Sequence, residues 1–366
     1  MQKLELGRKT STQGMVDYHA NSSAQQSIIL GKDEEIRSLV RRMGAQLSEF
    51  RIVDYGCGPG PSAIQSVKPA LEAYRGAGHD GPVVVSHADQ PGNDWNGLFQ
   101  LVFGGEGYQQ HIPNVRSQAL VGSFYKQLTG EGSVDLALCF AASHWLSRAV
   151  RVHSPNTLWF ADLTGAAREE MVAFAEQDWK DFLTLRAKEL KSGGYLFLST
   201  LGSFPDAQEK NGAAASGRGI YRALYEVAQG MLADGMLRAD VLDTFLFSLW
   251  FLTADEARKP LVEDEFLSCA YSVECIEVVP AAENPDDFFA PLAADKKEYA
   301  QTYTGYIRAF ADSTLRANLF GPSATNANDE EAISAEFYNR LCAIYETRGA
   351  EFAFELWHLN VVLKRN

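Results

Sequence analysis

Residues 51–62 read RIVDYGCGPGPS, and the reading of this stretch decides the fold. Arg51 to Tyr55 is a short apolar run carrying one acid, Asp54, the pattern of a buried strand. Glycines follow at alternate positions, Gly56, Gly58 and Gly60, and Pro61 stands where a helix tolerates proline, in its first turn. Strand, glycine turn and helix in that order make a ligand-binding edge, and the spacing says which ligands it rejects. A phosphate-cradling loop ends its glycines on a lysine, and none follows here. A dinucleotide turn, G-x-G-x-x-G counted from Gly56, needs its third glycine where Pro61 stands. Asp54, two residues ahead of the first glycine, would repel a pyrophosphate and suits a cation.

Outward from this turn, PVVVSHAD, VDLALCFAA, GGYLFLSTLG and AYSVECIEVVP read as further buried strands, and EFAFELWHLNVVL supplies one or two more. Helical spacing fills most of the gaps, from SSAQQSIILGKDEEIRSLVRRMGAQL to EEMVAFAEQDWKDFLTLRAKEL. The alternation predicts an α/β protein with a Rossmann-like, mostly parallel sheet, helices on both faces, and its ligand outside the carboxyl ends of the strands. Two long aromatic-rich segments break the pattern, GIYRALYEVAQGMLADGMLRADVLDTFLFSLWFLTADEARKP and DKKEYAQTYTGYIRAFADSTLRANLF, and predict an α-helical cap. The core is then expected in residues 1–203, 265–295 and 345–366, and the cap in 204–264 and 296–344. The glycine- and alanine-rich EKNGAAASGRG is expected to be a mobile loop leading into the cap.

The 366 residues, 46% hydrophobic and 22% charged, suffice for one large elaborated domain or two intimate ones. Thirty-three basic against 47 acidic residues leave a formal charge of −14, which repels phosphate backbones and argues against nucleic acid as a partner. An anionic small molecule gains no long-range steering either, so its affinity rests on a few local donors. Five scattered cysteines, without C-x-x-C or histidines at ligand spacing, give no metal framework and suit a reducing compartment. The amino-terminal stretch has no apolar signal core and no membrane-length apolar run follows, so a cytoplasmic protein without a membrane partner is expected. G-x-S-x-G, H-E-x-x-H and calcium-loop patterns are missing.

A glycine turn behind an acid suits S-adenosylmethionine, whose amino-acid end carries an ammonium group beside a sulfonium. Asp54 can organise that end while Gly56 and Gly58 let the backbone come close. The plainer alternative is a tight turn in which Asp54 pairs backbone amides. Asp89 closes the second strand, in HADQPGNDWN, and a carboxylate there can accept both ribose hydroxyls. Alone, it reads equally as an Asp-initiated turn before Pro91 and Gly92.

Five blocks taken in order, YHANSSAQQ, VDYGCGPGPS, DQPGNDWN, GSFY and HWLS, resemble the SABATH methyltransferases. Members of that family methylate salicylate, benzoate, jasmonate and related acids, with xanthine N-methylating relatives. Weaker likeness runs on through DFLTLRAKELKSGGYLFLSTLG. The resemblance implies a class I methyltransferase sheet, S-adenosyl-L-methionine as cofactor and a homodimer, and it leaves magnesium open. Tyr18, Ser22 and Asp54 would line the methionine end, Asp89 and Gln90 the ribose, and Ser123 and Phe124 the adenine. Gln25 and Trp145 would donate hydrogen bonds to a small carboxylic acid, with His144 as a further substrate contact. The chain departs from the family at Ser62, commonly Asn, at Gln90, usually Leu, and at Leu246 and Ser248, where plant members tend to carry Asn and Pro. These departures bear on the substrate.

The implied reaction esterifies a small aromatic or hydrophobic acid. A carboxylic acid is ionised at neutral pH, so no general base is needed and positioning carries the catalysis. A Gln amide and a Trp indole N–H, both neutral donors, orient a carboxylate without gripping it as an arginine would. Each has a plainer role: Ser22 to Gln25 spells a capping box, Trp145 can be a core indole, His144 a packed histidine, and Cys57 simple packing. Two other functions stay open at this point. One is methyl transfer to a heterocycle nitrogen or a phenol, for which His144 is the base the motifs offer. The other is a cofactor-binding pseudoenzyme.

Overall fold

The structure is a computed structural model and describes residues 29, 31–43, 49–280, 294–352 and 355–366. Seven strands form one sheet: β1 (Phe50–Tyr55), β2 (Val83–Asp89), β3 (Val115–Val121), β4 (Val134–Phe140), β5 (Leu190–Leu201), β6 (Tyr271–Pro280) and β7 (Trp357–Arg365). Their order is β3-β2-β1-β4-β5-β7-β6. The pairs from β3 through β5 are parallel, and β7 lies antiparallel between β5 and β6. The chain steps outward from β1 to β3, then returns to β4 on the other side of β1. The carboxyl ends of β1 and β4 therefore flank a topological switch point, where such sheets leave a ligand crevice.

Both faces of the sheet are covered, which is why β4, VDLALCF, is buried at every residue and apolar at all but Asp135, whose carboxylate accepts from Arg51 N–H at 2.8 Å and Lys191 Nζ at 2.9 Å. On one face Ile52, Val85 and Leu138 pack against α1 (Asp33–Arg42), α2 (Ser62–Gly76) and α3 (Trp95–Val102). On the other, Val53, Ala137 and Leu196 meet α4 (Gly165–Glu189) and further helices in one continuous core. The further helices are α5 (Arg218–Ala233), α6 (Ala254–Glu263), α7 (Glu265–Ala270), α8 (Lys296–Leu315), a π-helical turn at Arg316–Phe320, and α9 (Ala327–Arg348); of these, the sequence reading put α7 and the end of α9 in the core and the rest in the cap.

Three features differ from the sequence reading. β3, VRSQALV, escapes it because this edge strand is half exposed and carries polar residues between its apolar ones. The segment read as one long helical stretch after Gly217 breaks at Gly235, whose φ is +73°. Asp243 to Thr253 then runs as an irregular strap. Its side chains from Phe245 to Leu252 are all buried, and its amides serve neighbours: Phe247 N–H reaches Leu158 O at 3.0 Å and Trp250 N–H reaches His144 O at 2.9 Å. A capping box at Thr253 and Glu256 restarts the helix as α6. Finally, EKNGAAASGRG is no free loop. Ala213–Ala215 pairs with Ser203–Pro205 as a hairpin, and Ala214, Ala215 and Ser216 are buried. No helix among the described residues is long and apolar enough to cross a membrane.

Candidate active site

The glycine turn and the end of β2 are built as one unit. Gly56 has φ +74°, its N–H donates to Ala88 O at 2.7 Å, and a Cβ there would overlap Ala142. Gly58, φ +62°, has no described atom within 4 Å of where a Cβ would sit and donates its N–H to Asp89 Oδ2 at 2.7 Å, while Gln90 N–H donates to Oδ1 at 2.7 Å. The Cys57 thiol is a weak third donor, 4.0 Å from Oδ2; a carboxylate has about four acceptor positions, so Asp89 keeps capacity for a further hydroxyl, and for a second where it displaces the thiol. Burial pushes its carboxyl above the usual range, against the pull of these two amides. The PGNDWN string owes its make-up to this turn: Asn93 donates to Gly58 O at 3.1 Å, and Asp94 caps α3 by accepting from Gly97 N–H at 3.0 Å. Opposite, Ala141 leaves β4 with φ +51°, a conformation a non-glycine residue holds only where its surroundings force it.

Asp54 is buried, and no backbone amide among the described residues donates to its carboxylate. Oδ2 lies 3.2 Å from Ser66 Oγ on α2 and 3.5 Å from His87 Nδ1 on β2. Sequence reasoning passed over His87, although a histidine in the apolar run VVVSHAD was the available signal. Cys57 is packing: it is buried, and burial together with Asp89 and Asp54 holds the thiol well above its ordinary range.

The GSFY and HWLS loops meet beside the turn. Phe124 is buried, 4.9 Å from the Tyr125 ring and 5.9 Å from Phe182, and its edge comes 3.6 Å from where a Gly56 Cβ would sit. Ser123 Oγ accepts from Tyr125 N–H at 3.2 Å, and Tyr125 O–H donates to Trp145 O at 2.7 Å, joining the two motifs. Helix α4 anchors both. Arg186 donates to Phe124 O at 2.8 Å and to Glu189 at 2.7 Å, Glu189 accepts from Thr129 N–H at 3.0 Å and Tyr55 O–H at 2.6 Å, and Asp178 accepts from Ser147 N–H at 2.6 Å.

Trp145 is half-buried and bridges Leu249 of the strap. His144 is buried, with Nδ1 2.8 Å from Thr200 Oγ1 and its ring edge-on to Phe251 at 5.4 Å; burial drives its pKa down to about 3, so it is neutral. Behind Phe251 stand Trp159, stacked on Tyr221 at 3.9 Å, and Phe160, 4.7 Å from Trp250. Leu246 is buried, and Ser248 stitches the strap to the HWLS loop, its Oγ accepting from Val150 N–H at 2.8 Å and its carbonyl from Leu146 N–H at 3.0 Å. Tyr18, Ser22 and Gln25 lie outside the described residues. Among the described residues no group of three or more His, Cys, Asp or Glu is placed to hold a metal ion.

The described part of the site fits S-adenosylmethionine. Among the described residues the turn is open at Gly58, no Cβ can exist at Gly56, and Asp89 has acceptor capacity to spare beside a buried aromatic ring. A sheet ordered 3-2-1-4-5-7-6 with an antiparallel β7, and a glycine turn tied to the acid ending β2, is the class I methyltransferase fold. The chain belongs to the SAM dependent carboxyl methyltransferase family, the SABATH enzymes, whose sequence profile matches residues 8–365. It is similar to gibberellic acid methyltransferase 2 of Arabidopsis thaliana, with 26% identity over 69% of this chain and 70% of that one. Indole-3-acetate O-methyltransferase 1 of Oryza sativa subsp. japonica shares 25%, covering 84% and 77%. Methyltransferase LUC1 of a Fusarium species shares 26%, covering 90% of both. The solved structure of loganic acid methyltransferase with SAH superposes with a TM-score of 0.74 over 97% of this chain and 98% of that one, at 19% identity, and shows the same fold.

Proposed function

We propose that this S-adenosylmethionine-dependent carboxyl methyltransferase forms the methyl ester of a small aromatic or hydrophobic acid. The observation that carries the reading is the aromatic wall beside Trp145: His144, Phe251, Trp159, Tyr221, Phe160 and Trp250 pack ring to ring where the cap meets the carboxyl end of β4. Such a wall excludes water and accepts apolar surface. The gibberellic acid and indole-3-acetate enzymes among the relatives support an acid with a hydrophobic body.

In this reading Asp54, Gly56 and Gly58 hold the methionine end, Asp89 and Gln90 the ribose, and Ser123 and Phe124 the adenine. The cofactor, when bound, supplies an electrophilic methyl carbon. The chain's own part is to bind the acid already ionised, orient one carboxylate oxygen through the Trp145 indole N–H and Gln25, and exclude water. Fixing both partners in attack geometry is worth roughly 7–11 kcal/mol. A neutral nitrogen or phenol acceptor would need a base. His144 serves that role poorly, being buried, bonded to Thr200 and depressed to about 3.

The deciding assay uses methyl-labelled S-adenosylmethionine with a panel of aromatic, aliphatic and dicarboxylic acids. Base-labile volatile product from aromatic or hydrophobic acids is the expected result. Turnover confined to nitrogen heterocycles or phenols would overturn the proposal, as would cofactor binding without any turnover. Trp145→Phe, which keeps the ring and loses the donor, is expected to lower kcat about ten-fold or more with cofactor affinity unchanged.

A further inference from the structure

We propose that His87 is a positioning residue for the methionine end of the cofactor site, held as its Nδ1–H tautomer by a one-way chain of hydrogen bonds onto Nε2 that leaves Nδ1–H facing Asp54. The inference rests on the reading of Asp54 as part of that end. Asp54 and His87 are direct partners in the β1–β2 register, so the pleat puts both on the α2 face. Asp54, His87 and Tyr108 are all buried. The chain runs inward from the sheet edge: Gln109 Nε2 donates to Ser117 Oγ at 2.6 Å, Ser117 Oγ is 2.7 Å from Tyr108 Oη, and Tyr108 Oη is 2.8 Å from His87 Nε2. Among the described residues His87 Nδ1 has no hydrogen-bond partner, and it faces Asp54 Oδ2 at 3.5 Å.

The direction follows from what each group can do. The Gln109 amide nitrogen only donates, which leaves the Ser117 hydroxyl proton for Tyr108 and the phenol proton for His87 Nε2. The imidazole proton is then on Nδ1, pointing at the carboxylate. Run the other way, the chain sets a bare nitrogen lone pair against a buried carboxylate. Among the described residues Asp54 has little else to hold it. Ser66 Oγ carries one proton and stands 3.2 Å from both Asp54 Oδ2 and the Ala63 carbonyl. His87 therefore fixes where the Asp54 charge sits, and Tyr108 fixes His87.

Two measurements on the full chain test this. Nitrogen-15 spectra of labelled histidine report which ring nitrogen carries the proton; Nδ1–H is expected for His87 in the wild type and a tautomer mixture in Tyr108→Phe. Titration calorimetry without the acid is expected to show Tyr108→Phe binding S-adenosylmethionine about five- to ten-fold more weakly, the worth of one hydrogen bond. The KM for the acid should not move, and a merely structural lesion would raise both. Ser117→Ala cuts the chain one link further out and serves if Tyr108→Phe folds poorly. An Nε2–H tautomer in the wild type overturns the proposal. So does unchanged cofactor affinity in Tyr108→Phe while Asp54→Asn weakens it, which leaves the reading of Asp54 standing. If Asp54→Asn binds the cofactor as well as the wild type, the reading of Asp54 falls and the positioning role goes with it, whatever the tautomer.

Discussion

At Gly56 two independent constraints meet. Its φ of +74° is left-handed, and the space a side chain would need is filled by Ala142. Gly58 shares the first constraint, at φ +62°, but not the second. Left-handed backbone costs a non-glycine residue about 1–2 kcal/mol. Gly58→Ala should lose roughly that much stability by denaturant titration and keep measurable cofactor binding. Gly56→Ala must also push the β4 loop away and should abolish binding; equal losses in the two variants would show that overlap with Ala142 does not matter. His144 gives a second residue-scale expectation. Burial lowers its pKa to about 3, and that of His358 to about 4. The unfolded chain takes up these protons near pH 6.5. Between there and about pH 4 the unfolded state binds more protons, so this contribution is complete above pH 6.5 and shrinks as pH falls. His144→Asn should flatten the fall of Tm from pH 6.5 to 5, and wild-type kcat should show no histidine ionisation above pH 6. A rate rising through pH 6.5 would put a titrating histidine back in the mechanism.

Helix α4 does for the loops what the glycines do for the turn. Arg186 and Glu189 sit one turn apart at its carboxyl end, both wholly buried, and between them bind Phe124 O, Lys126 O, Thr129 N–H and the Tyr55 phenol. The guanidinium also lies 4.0 Å over the Tyr55 ring. Removing one member of a buried ion pair strands the other, at about 3–5 kcal/mol. Arg186→Leu should therefore cost that much stability, and cofactor affinity besides if the Phe124 loop holds the adenine as proposed, because that loop loses its anchor. Arg186→Lys should recover part of the stability but little affinity, since a lysine cannot bridge Phe124 O and Glu189 as a fork does. None of this was legible in LTLRAKEL, where a charged pair three residues apart reads as a solvated helix face. The sheet was legible because strands covered on both faces are continuous apolar runs; the edge strand β3, wetted on alternate residues, was not. The strap from Asp243 to Thr253 was misread as helix because eight consecutive buried residues fit a core helix as well as an extended segment. The motifs proposed to bind the cofactor stand out in the sequence, but the link from Asn93 to Gly58 and the turn of Asp54 towards His87 depend on which strands are neighbours.

At the scale of the whole molecule, the net charge of −14 separates the two ligands. S-adenosylmethionine is a net cation and is drawn in by such a surface, whereas an ionised acid is repelled until it reaches local donors, proposed above to include Trp145. Salt screens both effects, the Debye length shrinking from about 30 Å at 0.01 M to about 8 Å at 0.15 M. Raising ionic strength over that range should therefore increase kcat/KM for the acid by about two- to three-fold and decrease kcat/KM for the cofactor by a similar factor. The opposite signs matter more than the sizes, because a general effect of salt on folding or on kcat would move both together. The same series discriminates the acceptor. A neutral heterocycle or phenol approaches a charged surface without a monopole to be repelled, so its kcat/KM should stay flat while that of the cofactor falls. A preferred substrate with no salt response at all, in an enzyme whose cofactor still responds, would mean that it is not an ionised carboxylate at the moment of encounter.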